Sequence, residues 1–227
     1  MLKRLLLALL LLLGVATAAQ AASPRALLTA AIFDDADKTA VLAGIDAAGR
    51  AATTTLAHAP RDSEARLVKA MAVGYRATLE RSRQGAMAAR TEIEAVVAAE
   101  PHNPDAQIAV AGWHLDAIAS AGALPARLVL GASRDAGLAA LDRAVALRPD
   151  HAMYPALAAL MRIRLDPRDI ARARSLAEAA VAAEATTPLD RLLRQRAAAL
   201  LEPLRAGDGK RASALAVRLL PLGQVKR

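Results

Sequence analysis

The chain has 227 residues and no cysteine, which excludes disulfides, a thiolate metal centre and a cysteine nucleophile. Aromatic residues make up only 2% of it, too few for a β-sandwich core, whereas the dominant alanine, leucine and arginine are all strong helix formers. The formal charge of +8 is uneven: residues 23–156 carry 14 basic and 15 acidic side chains, residues 157–227 carry 14 and 7. Basic residues are not interleaved with aromatics, so no nucleic-acid partner is expected. The basic last third reads as a solvated arginine-rich surface, or as a face toward an anionic membrane or an acidic protein.

The N-terminus has the plan of an export signal. Lys3 and Arg4 precede an unbroken apolar run from Leu5 to Val15, and small residues lead to Ala19-Gln20-Ala21, an A-x-A cleavage site. The run is shorter than the roughly 20 residues a membrane-spanning helix needs. A cleavable signal at 1–21 is therefore expected, with an uncleaved signal anchor as the alternative. The product is a soluble, most plainly periplasmic, protein with no integral membrane span.

Beyond the signal, residues 22–35 form a short N-terminal segment and residues 36–227 a helical-repeat domain. Pro60, Pro101, Pro149 and Pro221 close helical segments, with Ala185 in an equivalent place; these positions lie 41, 48, 36 and 36 residues apart. Before each comes a small-residue pattern: Ala48 and Ala52, Ala89 and Ile93, Gly137 and Leu141, Ala173 and Ala177, and more loosely Ser213 and Ala216. Ser23-Pro24, Asn103-Pro104, Asp166-Pro167 and Thr187-Pro188 each place a capping residue before a proline at the first helical position. Asp62, Asp150 and Asp208 are candidate caps for three further helices, and Ser133 for another. Gly122, Gly131 and Gly207 mark loops. No alternating strand pattern occurs. The predicted fold is all-α: an α-solenoid of about four to five antiparallel helix pairs, with an insertion at about 120–133.

The sets Ala89, Ile93, Val96, Pro101 and Gly137, Leu141, Ala144, Pro149 resemble the second helix of the tetratricopeptide repeat, and Gly74 and Gly112 are similar to the glycine of its first helix. The resemblance covers roughly residues 36–221, with alanine or leucine at several positions where that family has aromatics; other α-solenoids share much of this pattern. The Gly112-Trp113-His114 run followed by a long insertion also resembles the bacterial relatives of the regulator of microtubule dynamics family. That resemblance implies an interaction-type repeat protein without a catalytic motif.

No catalytic residue, metal site or cofactor is expected. His58, His102, His114 and His151 lack the i, i+3 or i+4 spacing of a helical zinc face. Gly131-Ala132-Ser133-Arg134-Asp135 lacks the final glycine and preceding strand of a nucleophile elbow. No phosphate-binding loop is present. The tetratricopeptide register implies that first helices line a concave groove, with Met71, Tyr75, Trp113, Met153 and Arg196 facing it, although Trp113 and Tyr75 also suit core packing. The leading functional expectation is a non-enzymatic adaptor that binds a protein or peptide of the cell envelope in that groove. The alternative is a small-molecule or lipid-binding accessory protein of an envelope transport system. Under it, Leu124, Leu128, Val129 and Leu130 of the insertion would cover an apolar cavity. Intact-mass measurement on the exported protein should find a new N-terminus at Ala22 or within a few residues of it; recovery of Met1 in a membrane fraction would contradict the cleavage.

Overall fold

The computed structural model describes residues 22–226, so the proposed signal lies outside the described residues. Those residues form helices α1 (Pro24–Phe33), α2 (Lys38–His58), α3 (Ser63–Glu80), α4 (Arg83–Ala99), α5 (Pro104–Ala121), the single turn α6 (Ala123–Pro125), α7 (Arg134–Leu147), α8 (Met153–Leu165), α9 (Ile170–Ala182), α10 (Pro188–Arg205) and α11 (Gly209–Leu219). A π-turn, Ala126–Leu130, continues α6. The described chain is all-α, with no strand and no helix long and apolar enough to cross a membrane.

Local chemistry sets most helix ends. Ser23, Asp37, Asp62, Asn103, Ser133, Thr187 and Asp208 each cap a helix through a side-chain oxygen that accepts a first-turn backbone N–H. The helices α2, α4, α7 and α11 each stop two residues before Pro60, Pro101, Pro149 and Pro221, because the residue ahead of a proline is disfavoured in helical conformation. Two expected caps sit elsewhere. Asp166 ends α8, and its carboxylate accepts the backbone N–H of Arg168 at 3.0 Å, which delays α9 to Ile170. Asp150 belongs to a turn whose carbonyl accepts from Glu184 N at 2.9 Å, while Ala152 N donates to Glu184 O at 3.0 Å. That bridge between two inter-helix turns shifts the start of α8 to Met153.

The helices pack as α1 with α2, α3 with α4, α5 with α7 and α8 with α9, while α10 packs mainly on α9 and α11 lies against α8 more than against α10. The helices α2, α4, α7, α9 and α11 are amphipathic, and each buries small residues beside a few branched ones: Ala48 and Ala52, Ala89 with Ile93, Gly137 and Ala144 with Leu141, Ala173 and Ala177, Ala212 and Ala216. Close approach depends on that smallness. A Cβ on Gly137 would lie 2.7 Å from the Leu115 side chain of α5. The middle first members differ: every residue from Ala106 to Ala111 in α5, and from Met153 to Met161 in α8, is buried. A helix buried around its whole circumference has neighbours on every side. The helices α1, α3, α5, α8 and α10 line one common cavity and are called the inner row; α2, α4, α7 and α9 cover them from outside. Residues 22–35, set apart on sequence grounds, hold the first inner helix, and Leu28, Ala31, Ile32 and Phe33 join the main core.

One buried carboxylate joins the last two pairs. Asp190, 3% exposed, forms a reciprocal capping box with Thr187 at the start of α10. Its other oxygen accepts Met153 N at 3.3 Å, serving α8, whose own N-cap, Ala152, has no side-chain acceptor. Asp190→Ala should cost about 2–4 kcal/mol in urea unfolding, because two helix starts lose an acceptor and their N–H groups stay buried. A cost near that of an ordinary surface substitution would show that α8 starts without this borrowed cap.

Candidate functional site

The inner row lines a half-open cavity of about 860 Å³. Leu28, Ile32 and Phe33 line it from α1, Met71 and Tyr75 from α3, and Ile108 and Trp113 from α5; Met153, Leu157 and Met161 line it from α8, and Leu189 and Leu193 from α10. The C-terminal segment completes the wall with Pro221, Leu222 and Val225. It is held there by backbone hydrogen bonds from Leu222 N to Ile32 O at 2.7 Å and from Lys226 N to Ala36 O at 3.2 Å. The last residues thus bridge back to the first inner helix.

The end of the cavity at the inner helices' N-termini is polar and tied together. Arg25 of α1 donates to Glu64 of α3 at 2.9 Å and to Asp105 of α5 at 3.2 Å, and the Tyr154 hydroxyl of α8 donates to Asp105 at 3.0 Å. Four inner helices therefore share one network at their first turns. Burial raises the Tyr154 phenol well above its ordinary pKa, and the Asp105 carboxylate adds to the shift. Tyr75 projects from the middle of α3. Burial raises its phenol too, with Asp116 adding and Arg164 and Arg25 opposing. Asp116 faces the cavity but is paired with Arg164. The carboxylates and guanidinium on these inner walls are already engaged.

At the opposite end, the insertion 122–131 lies against the cavity through Pro125, Ala126, Val129 and Leu130. Gly122 and Gly131 bracket it with φ of 84° and 69°, backbone that side-chain-bearing residues rarely adopt. Trp113, His114 and Arg90 hold it in place. Arg90 donates to Leu130 O at 3.0 Å and Gly131 O at 3.3 Å, and its guanidinium lies 5.0 Å from the Trp113 ring centre. Trp113 donates from Nε1 to Ala86 O of α4 at 2.7 Å. The backbone N–H of Ser133 donates to His114 Nδ1 at 3.3 Å. The Trp-His pair therefore fastens the insertion to the inner row, and the indole also forms part of the cavity wall.

Of the residues singled out from the sequence, Met71, Tyr75, Trp113 and Met153 line this cavity together. Arg196 does not. Its guanidinium stacks over Phe33 at 4.4 Å and donates to Phe33 O at 3.3 Å and to Leu219 O, capping the carbonyl ends of α1 and α11. It is a structural clamp between first and last helices, in place of the expected contact for an acidic partner. Sequence reasoning missed Met161 and the whole α1 wall. The Ser23-Pro24 cap and the apolar run to Phe33 were the available signal. No family model, curated protein or solved structure matches the chain.

His114 is buried, and its pKa is lowered by burial first and then by Arg90, with Glu94 opposing. Its neutral ring accepts the Ser133 N–H, a role that a proton on Nδ1 would end. The unfolded chain titrates near 6.5 and the folded chain lower, so this contribution is complete above about pH 6.5 and falls away below it. Lowering the pH from about 7 to 5 should reduce the melting temperature more in the parent than in His114→Gln, which keeps an acceptor but does not titrate. Parallel slopes in the two proteins would remove His114 as the source.

Proposed function

We propose that this chain is an exported, periplasmic, non-enzymatic carrier that holds an apolar small molecule, of the lipid acyl type, inside a tetratricopeptide-like stack of five helix pairs. The observation that carries the reading is the cavity itself. Its 860 Å³ falls within the few hundred to about 1,000 Å³ typical of small-molecule sites, and apolar side chains dominate its wall. Closure by the C-terminal segment also shortens any path along which an extended partner could lie. These features place the carrier reading ahead of the protein adaptor, the reverse of the order suggested by sequence. Three methionines on the wall, Met71, Met153 and Met161, suit a flexible apolar ligand. An enzyme reading has less support, because Arg25, Asp105 and Asp116, the cavity's inner charges, are held in ion pairs.

Trp113 is the only tryptophan and lies on the wall, so its fluorescence reports occupancy directly. Titration with a fatty-acid analogue should give a saturable, one-to-one change. Gly112→Phe, which fills the cavity from α5, should weaken binding about tenfold or more, equivalent to about 1.4 kcal/mol. Absence of saturable binding, together with stoichiometric binding of a polypeptide from the cell envelope, would favour the adaptor.

A further inference from the structure

The insertion turns apolar side chains to solvent, of which only Val129 also reaches the cavity. Leu124, Leu128 and Val129 are 66%, 74% and 48% exposed, spaced so that they cluster on a short helical run. Elsewhere among the described residues, the large apolar side chains that reach solvent are isolated valines: Val73, Val181 and Val217. Isolated exposed apolar residues are ordinary, but a cluster on a fixed element marks a contact surface. This element is fixed, since Arg90 and His114 hold its backbone.

Charge around the cluster identifies the partner. No acidic residue occurs from 117 to 134, and Arg127 stands exposed within the run. Arg81 and Arg83, both exposed, line the adjacent mouth of the cavity. Among the described residues none of these three arginines is in an ion pair, whereas the nearby Glu80 and Glu94 are paired with Arg76 and Arg90. Apolar side chains among unpaired arginines match the interface of an anionic bilayer, where each basic residue near the surface contributes about 1 kcal/mol. A two-fold dimer through the same patch would set Arg127 near its own copy.

We infer that Leu124, Leu128 and Val129, ringed by Arg81, Arg83 and Arg127, form a docking surface for an anionic phospholipid membrane. The contact is reversible, since three short apolar side chains are far less than an inserted helix buries. Val129 belongs to both the surface and the cavity wall, so an acyl chain would pass between them without crossing open water. The purpose assigned to docking rests on the carrier reading of the cavity; the surface can be tested separately.

The test is flotation of the exported protein with vesicles of phosphatidylglycerol and phosphatidylcholine in equal parts, against phosphatidylcholine alone. Binding is expected to the anionic vesicles only, and to be released as salt rises from about 0.1 to 0.5 M. Leu124→Asp/Leu128→Asp should lower the bound fraction about tenfold or more, and Arg81→Gln/Arg83→Gln/Arg127→Gln should erase the preference for anionic lipid. All five side chains are exposed, so the circular dichroism melting curve of each variant should match the parent. Equal binding to neutral vesicles, or undiminished binding by the leucine variant, would overturn the inference. So would a dimer in sedimentation that Leu124→Asp dissociates, with no vesicle binding. The Trp113 titration separates the two proposals. Vesicle binding without fatty-acid binding leaves docking and sinks the carrier; the reverse outcome leaves the carrier and sinks docking.

Discussion

Everything in this molecule follows from the way five inner helices must be covered by a chain that has almost no aromatic side chains to cover them with. On the outward side the solution is closeness: alanines and glycines among the buried residues of α2, α4, α7 and α9 let these helices approach until even a methyl group at Gly137 would collide with Leu115. Dispersion contacts at that range replace the bulk that aromatic residues would otherwise supply. On the inward side the same economy of volume fails. Leucine, isoleucine and methionine from the inner helices do not meet across the ring, and a cavity far larger than the packing voids of protein interiors remains.

The two ends of that cavity are built differently. At the inner helices' first turns, Arg25, Glu64, Asp105 and Tyr154 lock α1, α3, α5 and α8 in register, and Asp190 does the same for α8 and α10. Ion pairs with partial solvent access contribute little net stability one by one. Their shared geometry nonetheless fixes which turns lie side by side. The other end has an insertion held by Arg90, Trp113 and His114, apolar side chains turned to solvent, and arginines without partners among the described residues. A polar, cross-linked floor and an apolar, cationic mouth give the cavity a direction, and the carrier and docking proposals both follow from it.

Arg196 shows how closure is achieved. A guanidinium on α10 reaches the carbonyl ends of two helices distant in sequence and stacks on the chain's only phenylalanine. Burial lowers its pKa, with Asp34 opposing. The backbone bonds from Leu222 and Lys226 to α1 extend the same junction. Without it the inner row would end in an open edge at α1.

The all-α class and most helix ends were legible in the sequence because they depend on neighbours three or four residues away. Proline two residues past a helix, Ser, Thr, Asp or Asn at the cap, and small residues at helical spacing act locally. Tyr75 and Trp113 could be singled out from their places directly after helix glycines, and Met71 and Met153 from the register that the tetratricopeptide resemblance implies. What the sequence could not reveal was set by contacts between distant segments. Glu184 pulled Asp150 out of its capping role, and Asp190 took over the start of α8 from across a turn. Arg196 found carbonyls on α1 and α11 that no spacing rule connects to it. Local rules determined which helices form; the return of the C-terminus to α1 decided that their inner faces share one cavity, because that arrangement is a property of the whole row and of no single helix.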